Sequence, residues 1–288
     1  MTIRPEECRE RIDGDLNGDC AFDAYETCLF TGQRQSVCDC LEDGGTLEEC
    51  REKSGCNELI ASSNDPEFMA IMMELNTKST TVNKEVGYIQ KEDTTTDSGY
   101  GYDYVEEENI NDQMNITIPY PTILKGFFHT HDDEVKHSPV FSIDDLYFIF
   151  ALFNPTFNAD GTCYLNNMYN IDEDFTMVLI TAHGTKLALK FNSNGREQLR
   201  QFGEKYFGDW HLNLSDLVNI GAQIETDRKR IKKKFDEIID KELTIDKQKK
   251  KFAKFLDKLD FGMSLYQAND DFTQWEKINE SGEPIPCN

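Results

Sequence analysis

Seven of the nine cysteines fall within the first 56 residues: Cys8, Cys20, Cys28, Cys38, Cys40, Cys50 and Cys56. Only Cys163 and Cys287 come later. The stretch 1–57 is acidic and poor in large aliphatic side chains, so alone it buries too little apolar surface for a core and relies on staples. Disulfides are the usual reading of dense cysteines in a short segment, and they imply an oxidising, extracytoplasmic or secreted setting. The rival readings are a zinc site or free thiols. Against zinc, no CxxC pair occurs and no histidine precedes His129. Nine is odd, so at least one thiol stays unpaired or pairs between chains. The first residues, Met1 to Glu10, are polar and lack the apolar segment of a signal peptide. Export would therefore require a trimmed chain or the C-terminal part of a longer one.

The charge balance narrows the partners. Asp and Glu number 54 against 30 Lys and Arg, a formal net charge of −24. Neutralising nucleic-acid phosphates needs clustered basic residues, so nucleic acid is not the expected partner. Anionic membrane surfaces are disfavoured for the same reason. No run of about 18 apolar residues occurs, so no membrane-spanning helix is expected. The 19 Phe and 11 Tyr provide ample material for a core.

A calcium site is one reading of the segment Asp15 to Glu26. Asp15, Asn17, Asp19, Asp23 and Glu26 take positions 1, 3, 5, 9 and 12 of an EF-hand-type loop, with Phe22 at the apolar position 8. Cys20 stands where such a loop wants glycine. An acid-capped helix start is the other reading, since carboxylates are abundant throughout this zone.

Residues 58–212 read as mixed α and β. Asn64-Asp65-Pro66 opens a helix, and Phe68, Ile71, Met72 and Leu75 recur at helical spacing. Strands are expected over Glu85–Ile89, Ile123–His129, Phe175–Ile180 and Lys186–Phe191, the last two joined by a turn at His183-Gly184. Asn115–Pro119 also reads as extended, and Lys91–Gly101 as a hairpin or loop. Helices are expected over Asp144–Phe153 and from Gly195 to about Tyr206. The zone 213–288 is expected to be a helical extension. Its amphipathic stretch to Leu259, broken near Thr244, concentrates 13 of the chain's 30 Lys and Arg. Either that basic face is solvated or it docks onto an acidic surface.

Chemistry concentrates at His129-Thr130-His131. Side chains alternate along a strand, so His129 and His131 point the same way and can reach one cation. Asp145, where the next helix begins, offers a third ligand, leaving a position open for water as in catalytic zinc sites. Ser142, three residues earlier, can cap that helix or present its hydroxyl to an oxyanion. His137 reads as an exposed loop residue or an alternate ligand, His183 as a turn residue and His211 as structural or exposed.

The set Glu85-Val86-Gly87, His129-x-His131 and Ser142-x-x-Asp145 resembles the JAMM (MPN-plus) metalloprotease family, including its RadC-like branch. The resemblance covers roughly residues 58–210. It implies a three-layer, cytidine-deaminase-like α+β domain with a mixed sheet. It also implies Zn²⁺ held by His129, His131 and Asp145, with Glu85 as general base and Ser142 as oxyanion donor. The reaction implied is hydrolysis of a peptide or isopeptide bond in a protein or peptide substrate. Two features depart from the family pattern. Asp132 follows the second histidine where proline is usual, and the ten residues Asp132–Phe141 make a longer spacer before the serine. A longer spacer adds little closure entropy. The competing expectations are a non-catalytic binding or scaffold module on the same fold, and a delivered effector domain.

Overall fold

A computed structural model describes residues 35–96, 98–108, 113–114, 123–131, 139–153, 170–192, 195, 198–199, 201–202, 232–233, 235 and 243–287. The chain divides into two compact units, Met1–Glu58 with Asn288, and Leu59–Cys287.

In the described part of the first unit, helix α1 (Gln35–Glu42) is followed by helix α2 (Leu47–Ser63), which runs past the unit's end. A disulfide joins Cys40 to Cys50 with Cα atoms 5.4 Å apart. The turn between them is tight enough to demand glycine. A Cβ on Gly45 would stand 2.6 Å from Cys50 Sγ and 2.8 Å from Cys40 Sγ. The buried apolar cluster here is small, with Val37, Cys38 and Cys50 at its centre. Covalent closure therefore supplies what the core does not. Cys38, Cys56 and Cys287 are disulfide-bonded as well, so the five described cysteines answer the disulfide reading, and they fit an oxidising setting. The calcium-type loop Asp15, Asn17, Asp19, Asp23 and Glu26 lies outside the described residues, as do Cys8, Cys20, Cys28 and Cys163.

The second unit is built on one mixed sheet. Its strands among the described residues are β1 (Val86–Glu92), β2 (Tyr100–Glu108), β3 (Gln113–Met114), β4 (Ile123–His131), β5 (Asn170–Thr181), β6 (Lys186–Phe191), β7 (Met263–Ala268), β8 (Trp275–Ile278) and β9 (Pro284–Pro286). Their spatial order is β3-β2-β1-β4-β5-β6-β7-β8-β9. Every pairing is antiparallel except β4 with β5. A parallel pair needs a crossover, and helix α4 (Ile143–Phe153) lies in that connection.

Two helical layers cover the sheet. Helix α3 (Pro66–Thr81) starts as its sequence dictates: the Asp65 carboxylate accepts the Glu67 amide at 2.9 Å, and Pro66 occupies the first turn. It buries Phe68, Ile71, Met72 and Leu75, and the Phe68 ring meets Phe128 of β4 edge-on at 5.4 Å. On the opposite face, Phe127 of β4 packs against Phe148 of α4 at 5.0 Å. Helix α5 (Ile245–Leu259) shares that second face. Its Phe252 ring lies 6.1 Å from Phe141, 6.3 Å from Phe235 and 6.4 Å from Phe255. Phe252 is fully buried, so Phe252→Ala is expected to destabilise the fold by about 3–5 kcal/mol, read as a lower urea midpoint.

The expectation of a helical extension over 213–288 is corrected for its last part. α5 is helical, but Met263–Pro286 folds into β7, β8 and β9, and β7 pairs with β6 in register Phe191 to Met263. Met263, Leu265 and Tyr266 bury their side chains while turns at 269–273 and 279–282 close the hairpins. Those turn residues, Asn-Asp-Asp and Asn-Glu-Ser-Gly, are hairpin signals. Lys91–Gly101 is a hairpin, closed where the Asp93 amide donates to Gly99, and β2 beyond it is a strand that the sequence reading left unassigned. Asn115–Pro119 and most of 203–242 lie outside the described residues. No described helix is long and apolar enough to cross a membrane.

Candidate metal centre

The C-terminal end of β4 presents the two histidines. Phe127, His129 and His131 share the face of α4, whereas Phe128 turns to α3, as period-two alternation requires. His129 is 1% exposed and stacks on the Phe127 ring at 5.0 Å with an 8° interplanar angle. His131 is 2% exposed, and its ring lies 5.2 Å from that of His129. α4 brings Asp145 to them from its first turn. Asp145 Oδ1 stands 3.0 Å from His129 Nε2, and Oδ2 stands 3.4 Å from His131 Nε2. One ligand atom from each of the three residues lies within 4.8 Å of the others.

Both ring nitrogens of His129 are buried; Nδ1 makes no hydrogen bond, and Nε2 faces the Asp145 carboxylate at 3.0 Å. A cation between the imidazoles and the carboxylate could take Nε2 as a ligand. Two imidazoles and one carboxylate form a borderline nitrogen–oxygen donor set suited to a divalent first-row ion. Burial works against ionisation of Asp145, but the adjacent His129 and His131 outweigh it and hold its carboxyl well below the usual carboxylate range. The carboxylate is thus already deprotonated and able to serve as a ligand.

Ser142 and Asp145 also cap α4. The Ser142 amide donates to Asp145 Oδ2 at 2.6 Å, and the Asp145 amide donates to Ser142 Oγ at 3.2 Å. This reciprocal pair is a capping box with aspartate at its third position. It fixes Asp145 on the helix end and leaves Oδ1 towards His129.

Glu85 enters from the other side, just before β1. Its Oε1 is 3.7 Å from His131 Nε2, and its side chain is 21% exposed against 12% for Asp145. The glycine of Glu85-Val86-Gly87 has a steric reason. Gly87 stands opposite His129 in the ladder, and a Cβ there would come within 2.4 Å of the Phe128 carbonyl oxygen and 3.2 Å of His129 Cβ. Only glycine lets β1 lie this close to the ligand-bearing strand.

All five residues expected at the zinc site, Glu85, His129, His131, Ser142 and Asp145, are thus brought to one place. His183 is an exposed turn residue, while Asp132, Asp133, Glu134, His137 and His211 lie outside the described residues. Two contributors escaped the sequence reading. Thr130 bonds to the backbone of Val86, and Glu107 bonds to the Glu85 amide. Thr130 sits between the two ligands with its alternation pointing elsewhere. Glu107 is on a strand that had no pattern to mark it. No protein-family model, curated protein or solved structure matches the chain.

Proposed function

We propose that the second unit is a zinc-dependent hydrolase of peptide or isopeptide bonds, of the JAMM kind that its motifs resemble. The observation that carries this reading is the convergence of His129, His131 and Asp145 within 4.8 Å, with a partly exposed glutamate 3.7 Å from His131. Zinc held there would supply a Lewis acid and lower the pKa of a water towards about 7. Glu85, beside His131, would take a proton from the attacking water and pass it to the leaving amine. The Ser142 oxygen accepts the Asp145 amide, so its own hydrogen remains to donate to the carbonyl oxygen of the scissile bond. Disulfides in the same chain favour a substrate met in an oxidising compartment, so the enzyme acts as a secreted or extracytoplasmic protein.

One observation favours a second reading, a non-catalytic module on the same fold. The Ser142–Asp145 capping box gives both residues a structural task that needs no metal. Metal analysis of purified protein and peptide hydrolysis before and after chelation decide between them. Stoichiometric zinc is expected, with hydrolysis abolished by chelator and restored by added zinc. Protein that purifies without zinc and cannot be loaded with it, or hydrolysis that survives chelation, overturns the proposal.

A further inference from the structure

The β1–β4 ladder ends one step short of the residues that matter. Its last backbone pair on this side is Gly87 with His129. The backbone of Val86 still faces β4 there, and a side chain takes over the ladder's bonds. The Val86 amide donates to Thr130 Oγ1 at 3.1 Å, and Thr130 Oγ1 donates to the Val86 carbonyl at 3.3 Å. Thr130 is fully buried, so neither bond has water to replace it. On the other side, β2 holds Glu85 itself. The Glu85 amide donates to Glu107 Oε2 at 3.0 Å, and the Glu107 amide donates to the Glu85 carbonyl at 2.9 Å.

We infer that Thr130 and Glu107 are positioning residues for Glu85: together they clamp its backbone from both neighbouring strands and set where its carboxylate stands beside His131. Serine or threonine serves at position 130, because only a hydroxyl both accepts from an amide and donates to a carbonyl at that length. At position 107 a side-chain oxygen of the same reach that accepts the Glu85 amide serves. The catalytic part of this inference rests on the hydrolase reading above; the placement of Glu85 does not.

The test joins crystal structures of metal-free variants to steady-state kinetics of the zinc-loaded protein. Thr130→Val is expected to widen the 3.7 Å Glu85–His131 separation by about 1 Å, a displacement that lowers kcat by on the order of 10²-fold with KM and zinc content unchanged. Thr130→Ser restores both. Glu107→Ala moves Glu85 in the same way with about a tenfold loss in kcat, and Glu107→Gln, whose amide oxygen still accepts, restores it. Glu107 is only half-buried, so this second pair decides the matter if Thr130→Val does not fold. Glu85 unmoved in Thr130→Val and Glu107→Ala, or a failure of the conservative variants to restore it, overturns the inference. A parent protein without zinc or turnover sinks the hydrolase reading instead, and the position of Glu85 still decides this one.

Discussion

On the proposed hydrolase reading, replacing Glu85 by glutamine is expected to lower kcat by about 10²–10⁴-fold while zinc stays bound, the span that a positioned general base ordinarily contributes. Glutamine keeps the shape of the side chain and can still accept a hydrogen bond, but its amide cannot take up a proton. The backbone bonds from Glu85 to Glu107, and from the following Val86 to Thr130, do not involve the side chain that changes. The ligand set His129, His131 and Asp145 is likewise untouched. Loss of turnover with full metal content therefore isolates the proton transfer from the architecture. Zinc analysis and kcat measured on the same preparation suffice. Turnover within a few fold of the parent would remove Glu85 from the mechanism. Loss of zinc together with turnover would make Glu85 a ligand instead.

The motif at the site could be read in one dimension because its geometry follows from short-range rules. Period-two alternation puts His129 and His131 on one face, and the helix start puts Asp145 beside Ser142. The long-range part could not. That β1 lies next to β4 is what brings Glu85 to His131, and the steric demand visible at Gly87 appears only once the two strands are paired. Thr130 and Glu107 belong to the same class: each acts on a residue more than twenty positions away. Among the elements, α3 and the strands β4, β5 and β6 follow from apolar spacing. The C-terminal hairpins follow a lysine-rich amphipathic pattern that stops at Asp260, and short strands with little apolar alternation do not announce themselves after it. That residue ends the helix in a left-handed conformation at φ 52°, and Gly262 turns the chain into β7 at φ 79°.

The metal hypothesis makes its sharpest demand on His129. Its buried Nδ1 has no hydrogen-bond partner, and its Nε2 faces the Asp145 carboxylate at 3.0 Å. His129→Phe keeps an aromatic ring on Phe127, at a site already lined by Phe141, and removes both nitrogens. Asp145 retains the Ser142 amide at 2.6 Å and His131 at 3.4 Å. The variant is expected to be less stable than the parent when both are stripped of metal, by about 1–3 kcal/mol, because the buried Asp145 carboxylate loses its partner at 3.0 Å. Its zinc affinity should fall by more than about 10²-fold, beyond what loss of an outer-shell partner does. Urea unfolding in chelator and zinc titration read both quantities. A variant that is less stable without metal yet binds zinc as the parent does would show that His129 is a packing residue and that the ligand set lies elsewhere.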